Sequence, residues 1–461
     1  MIAQTRTYSS VVIEKPSTIQ SELFKLIRHG KSNELNTYLS ERRYARSLLT
    51  LISTNPSNNA CLSLLMIAAC HGHDLVVREL LTHSPDRTKM VELKGRLHSV
   101  SGDLVNNVTA LWCALDRAHY SVARILIDEG EANINHGPHH PLLIDATIRG
   151  RLDIVHFFVE NGYADINQTK SSDENQSTSL IVSASHGHTQ IVDYLIKKNA
   201  ELESRTCIDE NTALAVAALE GHLESVRLLC MAGASSRVRN HAKKTPIVLA
   251  AENNKLEVVN FLLEQNHDNA TFDDLELSIA SHILSHNGTQ HYRSEWVIEL
   301  LRHSLIKRAQ LKIPKSVTEP SVVYEFQQEY QSLTELDLIQ NNDKCLNIQA
   351  LLIQGRIFLL LKDERLLTSP FEQAAALVQG GQFDLCLDLI LHIFHLCQQC
   401  EFHMYFKQFF WLFYNMFNSK MPIPIDRFWK TCDLIFKPLD DCHVKDVSYL
   451  LAVAAKVRYN S

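Results

Sequence analysis

The chain has 461 residues, 45% of them hydrophobic and 21% charged, with 52 acidic against 45 basic side chains and a net charge of −7. That length exceeds one ordinary domain, the composition excludes disorder over most of the chain, and the acidic balance argues against nucleic acid as the main partner. No run of 18 apolar residues is present, so no membrane span is expected.

Residues 1–19 lack the long apolar segment of a secretory signal and read as a flexible leader. The 11 cysteines are odd in number and scattered through helical stretches. They fit reduced thiols in a cytoplasmic or nuclear protein better than a disulfide framework.

From 20 to 265 one pattern recurs: a Thr-Pro-Leu-like turn, a short Ala-rich helix, Gly-His, and a second helix rich in Val and Leu. A degenerate first copy, Leu23 to Ile27 with His29-Gly30, caps the series. The clear copies run from Ser63 to Gly72-His73, Thr109 to Ala118-His119, Leu142 to Gly150-Arg151, Thr178 to Gly187-His188, Thr212 to Gly221-His222 and Thr245 to Asn254-Lys255. The steps from 178 to 212 and from 212 to 245 are 34 and 33 residues, which is the ankyrin period. Each Gly supplies a left-handed backbone at the turn between helices. The Ala pairs let helices approach, and the Leu and Val of the second helix fill the space between neighbouring repeats. His73, His119, His188 and His222 are explained by the repeat, each expected to bond the backbone of its own turn.

One interval is too long. From Ser63 to Thr109 is 46 residues, about 13 more than one ankyrin step. The excess lies in 92–108, whose Gly95, Gly102, Asp103 and Asn106-Asn107 are turn residues. A hairpin projecting beside the concave face is predicted, either a functional loop or a tolerated insertion.

Beyond 265 the pattern stops. Residues 266–274 read as a polar linker, and 275–461 as a helical, tetratricopeptide-like domain. Helical stretches are predicted over 275–284, 294–310, 332–361 and 369–400, with a helical hairpin in 374–395 turning at Gly380-Gly381. Phe402 to Phe417 is dense in aromatics, with seven from Tyr405 to Tyr414, and reads as core rather than an exposed anchor. The fold class is all-α: an ankyrin-repeat solenoid followed by a tetratricopeptide-like helical domain.

Chemistry is sparse. Cys397 and Cys400, with His392, His395 and His403 nearby, invite a zinc reading, but no second Cys pair follows and they read as buried thiols. No Gly-x-Ser-x-Gly, Walker loop or dinucleotide fingerprint occurs, so no catalytic residue, cofactor or metal is expected.

Three features resemble the Fem (feminization) ankyrin-repeat family, its vertebrate B-type members above all. They are Ala110-Leu111-Trp112-Cys113-Ala114 with Gly150-Arg151-Leu152-Asp153-Ile154-Val155; the place and length of the 92–108 insertion; and Thr334-Glu335-Leu336, Asn342-Asp343 and Gln349-Ala350-Leu351-Leu352-Ile353 with Arg356-Ile357. The resemblance implies a substrate receptor of a cullin-2 RING E3 ubiquitin ligase. Such a receptor holds C-terminal tails of target proteins in the ankyrin groove and meets elongin B, elongin C and cullin-2 through a C-terminal box.

On this resemblance the peptide groove falls at Ser101, Asp103, Trp112, His140 and Arg149, with Trp112 either a groove wall or packed beneath the hairpin. The sequence departs from the family there. Ile148-Arg149-Gly150 and Val100-Ser101-Gly102 stand where the family has Phe-Asp-Gly, and His139-His140-Pro141-Leu142-Leu143 where it has Asn-Ser-Thr-Pro-Leu. A groove that favours acidic or neutral tails over a terminal Arg is expected. Tyr449 to Val457 echoes an elongin-binding helix without the usual Cys, which predicts weak or absent binding of elongin and cullin-2. The competing reading is an ankyrin scaffold with no ligase.

Overall fold

The computed structural model describes residues 16–41, 49, 52–55, 60–169, 176–265, 268–285, 295–315, 328–361, 368–399, 406–418, 424, 426–428 and 430–431. Most of the expected leader, the tail 449–457, Cys400 and His403 lie outside them. The described residues are mostly helical, and the chain packs as two compact units, 1–244 and 245–461.

The first unit is a series of helix pairs. They are α1 (Pro16–Arg28) with α2 (Ser32–Glu41), α3 (Leu64–His71) with α4 (Asp74–His83), and, after the short α5 (Arg87–Val91), α6 (Ala110–Asp116) with α7 (Tyr120–Asp128). Then follow α8 (Leu142–Ile148) with α9 (Leu152–Glu160), α10 (Ser179–Ser185) with α11 (Thr189–Lys197), and α12 (Ala213–Glu220) with α13 (Leu223–Met231). The Thr of each turn has a local job. The hydroxyls of Thr109, Thr178 and Thr212 accept the amides of Trp112, Ile181 and Ala215, and Ser63 does the same for Met66. These are N-caps, which satisfy backbone donors that a helix start leaves open.

The histidines stitch repeat to repeat rather than closing their own turns, which corrects the sequence expectation. The Nε2–H of His73, His119, His188 and His222 donates to the carbonyls of Arg28, Cys70, Ile148 and Ser185, each one repeat back, at 3.0–3.1 Å. The ring lies over the preceding repeat's glycine. At Gly187, which has φ +69°, a Cβ would come within 2.6 Å of His222 Nδ1. Gly187→Ala is therefore expected to cost about 2–3 kcal/mol, from a left-handed backbone plus a displaced stitch, read as a lower urea midpoint of the full chain. Arg151 replaces the stitching His in one repeat. Its guanidinium donates to the carbonyls of Asp116 at 3.2 Å and Leu115 at 3.5 Å.

The insertion forms the predicted hairpin, β3 (Gly95–His98) and β4 (Leu104–Val108), paired antiparallel. Asn107, at φ 58°, is an extra residue in β4 and bulges it, and Gly102, at φ +96°, closes the tip. The structure adds two strands the periodicity does not reveal, β1 (Ile52–Asn55) and β2 (Ala60–Ser63), giving one sheet in the order β1-β2-β3-β4. Strands this short give too little alternation to be read in a sequence.

The second unit opens on α14 (Pro246–Glu252) and α15 (Leu256–Gln265), the last helix pair with ankyrin-type turns. It continues with α16 (Asn269–Ser285), α17 (Glu295–Leu311), α18 (Leu333–Ile339), α19 (Asp343–Leu361), α20 (Thr368–Gln379), α21 (Phe383–Gln399) and α22 (Phe406–Asn418). The linker reading of 269–274 is corrected. Asp268 accepts the Thr271 amide at 2.9 Å and starts α16 there. The stretch 332–361 is two helices, because Asn342 caps a new start through the Cys345 amide. The turn at Gly380-Gly381 is present, with Gly381 at φ 70°. The aromatic segment is split: Phe409 and Phe413 are buried, while Trp411 and Tyr414 are exposed on the other face of α22.

A buried ionic lattice ties this unit together. Arg356 reaches Asp273 (2.6 Å), Glu276 (2.5 Å) and Glu329 (2.8 Å). Arg308 reaches Asp273 and Glu276 at 2.9 Å, and Lys315 reaches Glu329 at 3.0 Å. Three carboxylates face three cations, so the lattice is neutral, as buried charges must be to survive desolvation.

Candidate functional site

The groove residues lie where the hairpin tip meets the first helices of two successive pairs, α6 and α8. Trp112 is one turn into α6 and only 3% exposed. Its indole N–H donates to Asp145 Oδ2 at 3.0 Å. The Arg149 guanidinium lies over the ring at 4.8 Å from its centroid and pairs with Asp145 at 3.1 Å. Trp112 is therefore core with Arg149 as its outer cover, not an open groove wall. A buried indole needs a partner for its N–H, and a cation over its face adds a further attraction.

Ser101 and Asp103 are exposed at the hairpin tip, where the Ser101 hydroxyl donates to Asp103 Oδ2 at 2.8 Å. His140 sits in the loop entering α8, its ring 6.2 Å from that of His139. Sequence reasoning named these five residues and missed the group that joins the hairpin to Trp112 and Arg149. The Asp116 carboxylate accepts the Val100 amide of the hairpin tip at 3.0 Å. Arg149 lies 3.7 Å from its Oδ1, and Arg117 lies 3.7 Å from its Oδ2. Arg117 also donates to the His98 carbonyl at 3.0 Å. Asp116 thus links the hairpin to the Trp112–Asp145–Arg149 cluster.

A signal for this was available. The column that holds Asp145 is Ile67, Cys113, Val182 and Val216 in neighbouring repeats, so a carboxylate there is out of place unless partnered.

The electrostatics are graded by depth. Asp116 and Asp145 are buried at 6% and 8% exposure, while the side chains of Arg117 and Arg149 are 36% and 27% exposed. Burial pushes the Asp116 carboxyl above its ordinary value, against the Val100 amide and the charges of Arg117, Arg149 and Arg151, which pull it down. Beside it, the Arg151 hydrogen bonds hold Asp153 down at about 2, while burial and the bond to Asp153 push Tyr120 up to about 12. A partner arriving at this face therefore meets guanidinium groups above buried carboxylates. The cleft between α6 and α8 holds only about 10 Å³, too little for a ligand side chain, so a partner would lie over the arginines.

Among the described residues no cluster of His, Cys, Asp or Glu could hold a metal ion. Cys397 and His392 are both buried on α21. No described helix is long and apolar enough to cross a membrane.

The comparisons agree with the repeat geometry. The family model for ankyrin repeats matches in three copies, over residues 65–170, 143–240 and 205–273. The chain is similar to the ankyrin repeat and KH domain-containing protein mask-1 of Caenorhabditis elegans, 33% identical over 212 residues, which are 43% of this chain and 8% of that protein. It is similar to alpha-latroinsectotoxin-Lt1a of Latrodectus tredecimguttatus, 36% identical over 84 residues, 18% of this chain and 6% of that one. It also resembles the glycerophosphocholine phosphodiesterase GDE1 of Candida albicans, 27% identical over 132 residues, 29% of this chain and 11% of that enzyme. The chain spans a small part of each of these proteins, so the likeness concerns a shared module and not a shared activity. Residues 65–273 carry ankyrin repeats, a module that serves to bind other proteins.

Proposed function

We propose that this protein is a substrate receptor of the Fem type, which holds the extended C-terminal tail of a target protein against the first helices of its ankyrin repeats and presents it to a cullin-2 RING E3 ubiquitin ligase through elongin B and elongin C. The observation that supports this most is the β3–β4 hairpin fastened at its tip to α6, beside a cluster of arginines on α6 and α8. It stands at the chain position where the resembled family carries its hairpin. Arg149 pairs its Nε with Asp145 and Arg117 gives one terminal nitrogen to the His98 carbonyl, and a guanidinium with five N–H groups keeps further donors for a ligand carboxylate. A guanidinium pairs well with a carboxylate and repels a cationic tail. The groove is therefore proposed to take tails that end in acidic or neutral residues and to refuse a terminal Arg. Its setting in the cell is proposed to be cytoplasmic or nuclear.

The test of the ligase assignment is gel filtration of the purified full chain with elongin B, elongin C and cullin-2. Co-elution as one stable complex supports the receptor reading and overturns the expectation, drawn from Tyr449 to Val457, of weak or absent recruitment. Separate elution at micromolar concentrations leaves an ankyrin scaffold that binds its partner without a ligase.

A further inference from the structure

We propose that Asp116 is the positioning residue of the hairpin wall, a latch that fixes the β3–β4 tip against the first helices through its bond to the Val100 amide. The tip needs such a latch because it makes few contacts of its own. Val100 is 61% exposed and Leu104 40% exposed, and a Cβ added at Gly102 would meet nothing within 4 Å. A two-stranded hairpin in water is marginal by itself. Within itself the tip is bonded through the Gly102 amide on the Ser99 carbonyl at 3.0 Å, the Ser99 amide on the Asp103 carbonyl at 2.9 Å, the His98 ring on the Gly102 carbonyl at 3.0 Å and the side chains of Ser99, Ser101 and Asp103, and to the end of α6 it is joined by two bonds from consecutive residues. Those two are Asp116 to the Val100 amide and Arg117 to the His98 carbonyl, both at 3.0 Å. One bond accepts from the hairpin and the other donates to it, so the tip cannot pivot without breaking a bond of each kind.

Asp116 is in turn held from below. Its side chain faces Arg117 on its own helix and Arg149 at the end of α8, and its main-chain carbonyl accepts from Arg151 where a stitching His would otherwise stand. The array thus keeps the His119 stitch in the repeat that carries the hairpin and puts Arg151 in place of the His of the next one, building a charged joint there. The latch stands independently of which partner binds. Its consequence for binding, a preset wall beside Arg149, rests on the reading given above.

Hydrogen exchange of the full chain tests the latch without any ligand. In Asp116→Ala the bonded amides of Ser99, Val100 and Gly102 are expected to exchange about tenfold faster, the loss of one hydrogen bond, while α12 keeps its protection. Asp116→Asn retains a carbonyl oxygen for the Val100 amide and is expected to stay within about threefold of the parent. Val100→Pro removes the donor from the other end at a turn position that favours Pro, and is expected to speed Ser99 and Gly102 as Asp116→Ala does. That variant also carries the test if Asp116→Ala loses protection throughout the array. Unchanged exchange at Ser99 and Gly102 in a folded Asp116→Ala or Val100→Pro chain would overturn the latch. So would an Asn variant as fast as the Ala variant, since charge and not the bond would then hold the tip.

Discussion

Glu276→Gln is expected to destabilise the chain by about 3–5 kcal/mol, because it leaves buried cations without a counter-charge. Glu276 is fully buried and receives Arg308, Arg356 and the Ser304 hydroxyl at 2.5–2.9 Å. Removing its charge converts a balanced lattice into one with a net positive charge in a medium that cannot solvate it. The urea midpoint of the second unit, followed by hydrogen exchange at α16 and α19, should fall by about 1–2 M. Combining Glu276→Gln with Arg308→Leu restores the balance and should cost less than the two single losses summed, as coupled neighbours do. The same residue sets an acid limit. Burial alone would raise Glu276, but Lys315, Arg308 and Arg356 hold it down at about 2, below its ordinary 4.5. Its folded value is depressed, so its contribution is fully present above pH 4.5 and is lost as pH falls from there toward 2. Acid titration of the parent should show α16 and α19 losing protection in that window, and the Gln variant should show a smaller dependence.

Trp112→Ala is expected to cost about 3–5 kcal/mol, in the range of large aromatic truncations in a core. It empties the space under Arg149 and removes the donor from a buried Asp145 carboxylate. Trp112→Phe keeps most of the volume and should lose only the hydrogen bond, about 1–3 kcal/mol. Urea unfolding followed by circular dichroism separates the two. Equal stability of all three chains would mean that Trp112 is not packed as described. A binding defect in Trp112→Ala would then report a collapsed site, so Arg149 and Arg117 are the better probes of recognition.

The stack was legible in the sequence because ankyrin turns repeat chemistry at fixed intervals: Thr at the cap, Gly at the left-handed turn, His after it. Even the departures were informative, since Ala118 and Arg151 occupy the Gly and His positions of their repeats and the structure shows each doing a related job, Ala118 at φ 59° and Arg151 as the substitute stitch. The direction of the His bonds was not legible, because a period says which residues are equivalent and not which neighbour they touch. The hairpin was foreseen from turn residues and surplus length. Strands β1 and β2 were not, being four residues each. At the site the exposed residues were found by resemblance. Asp116 and Asp145, which tie the hairpin to Trp112 and Arg149, lie outside the positions that the resemblance names, although a lone carboxylate such as Asp145 in an apolar column is a sign of a buried partner.

The central claim, that the ankyrin face beside the hairpin binds an extended protein tail, is tested most directly by titrating labelled C-terminal peptides against the full chain and following fluorescence anisotropy. The peptides should differ only in their last residues: acidic, neutral, Arg-ended, and an amidated form lacking the free carboxylate. The account predicts saturable binding of the acidic and neutral peptides, weakened about tenfold or more by amidation and by Arg149→Asp, with Arg-ended peptides bound least. Tight binding of Arg-ended peptides that Arg149→Asp leaves unchanged would contradict it.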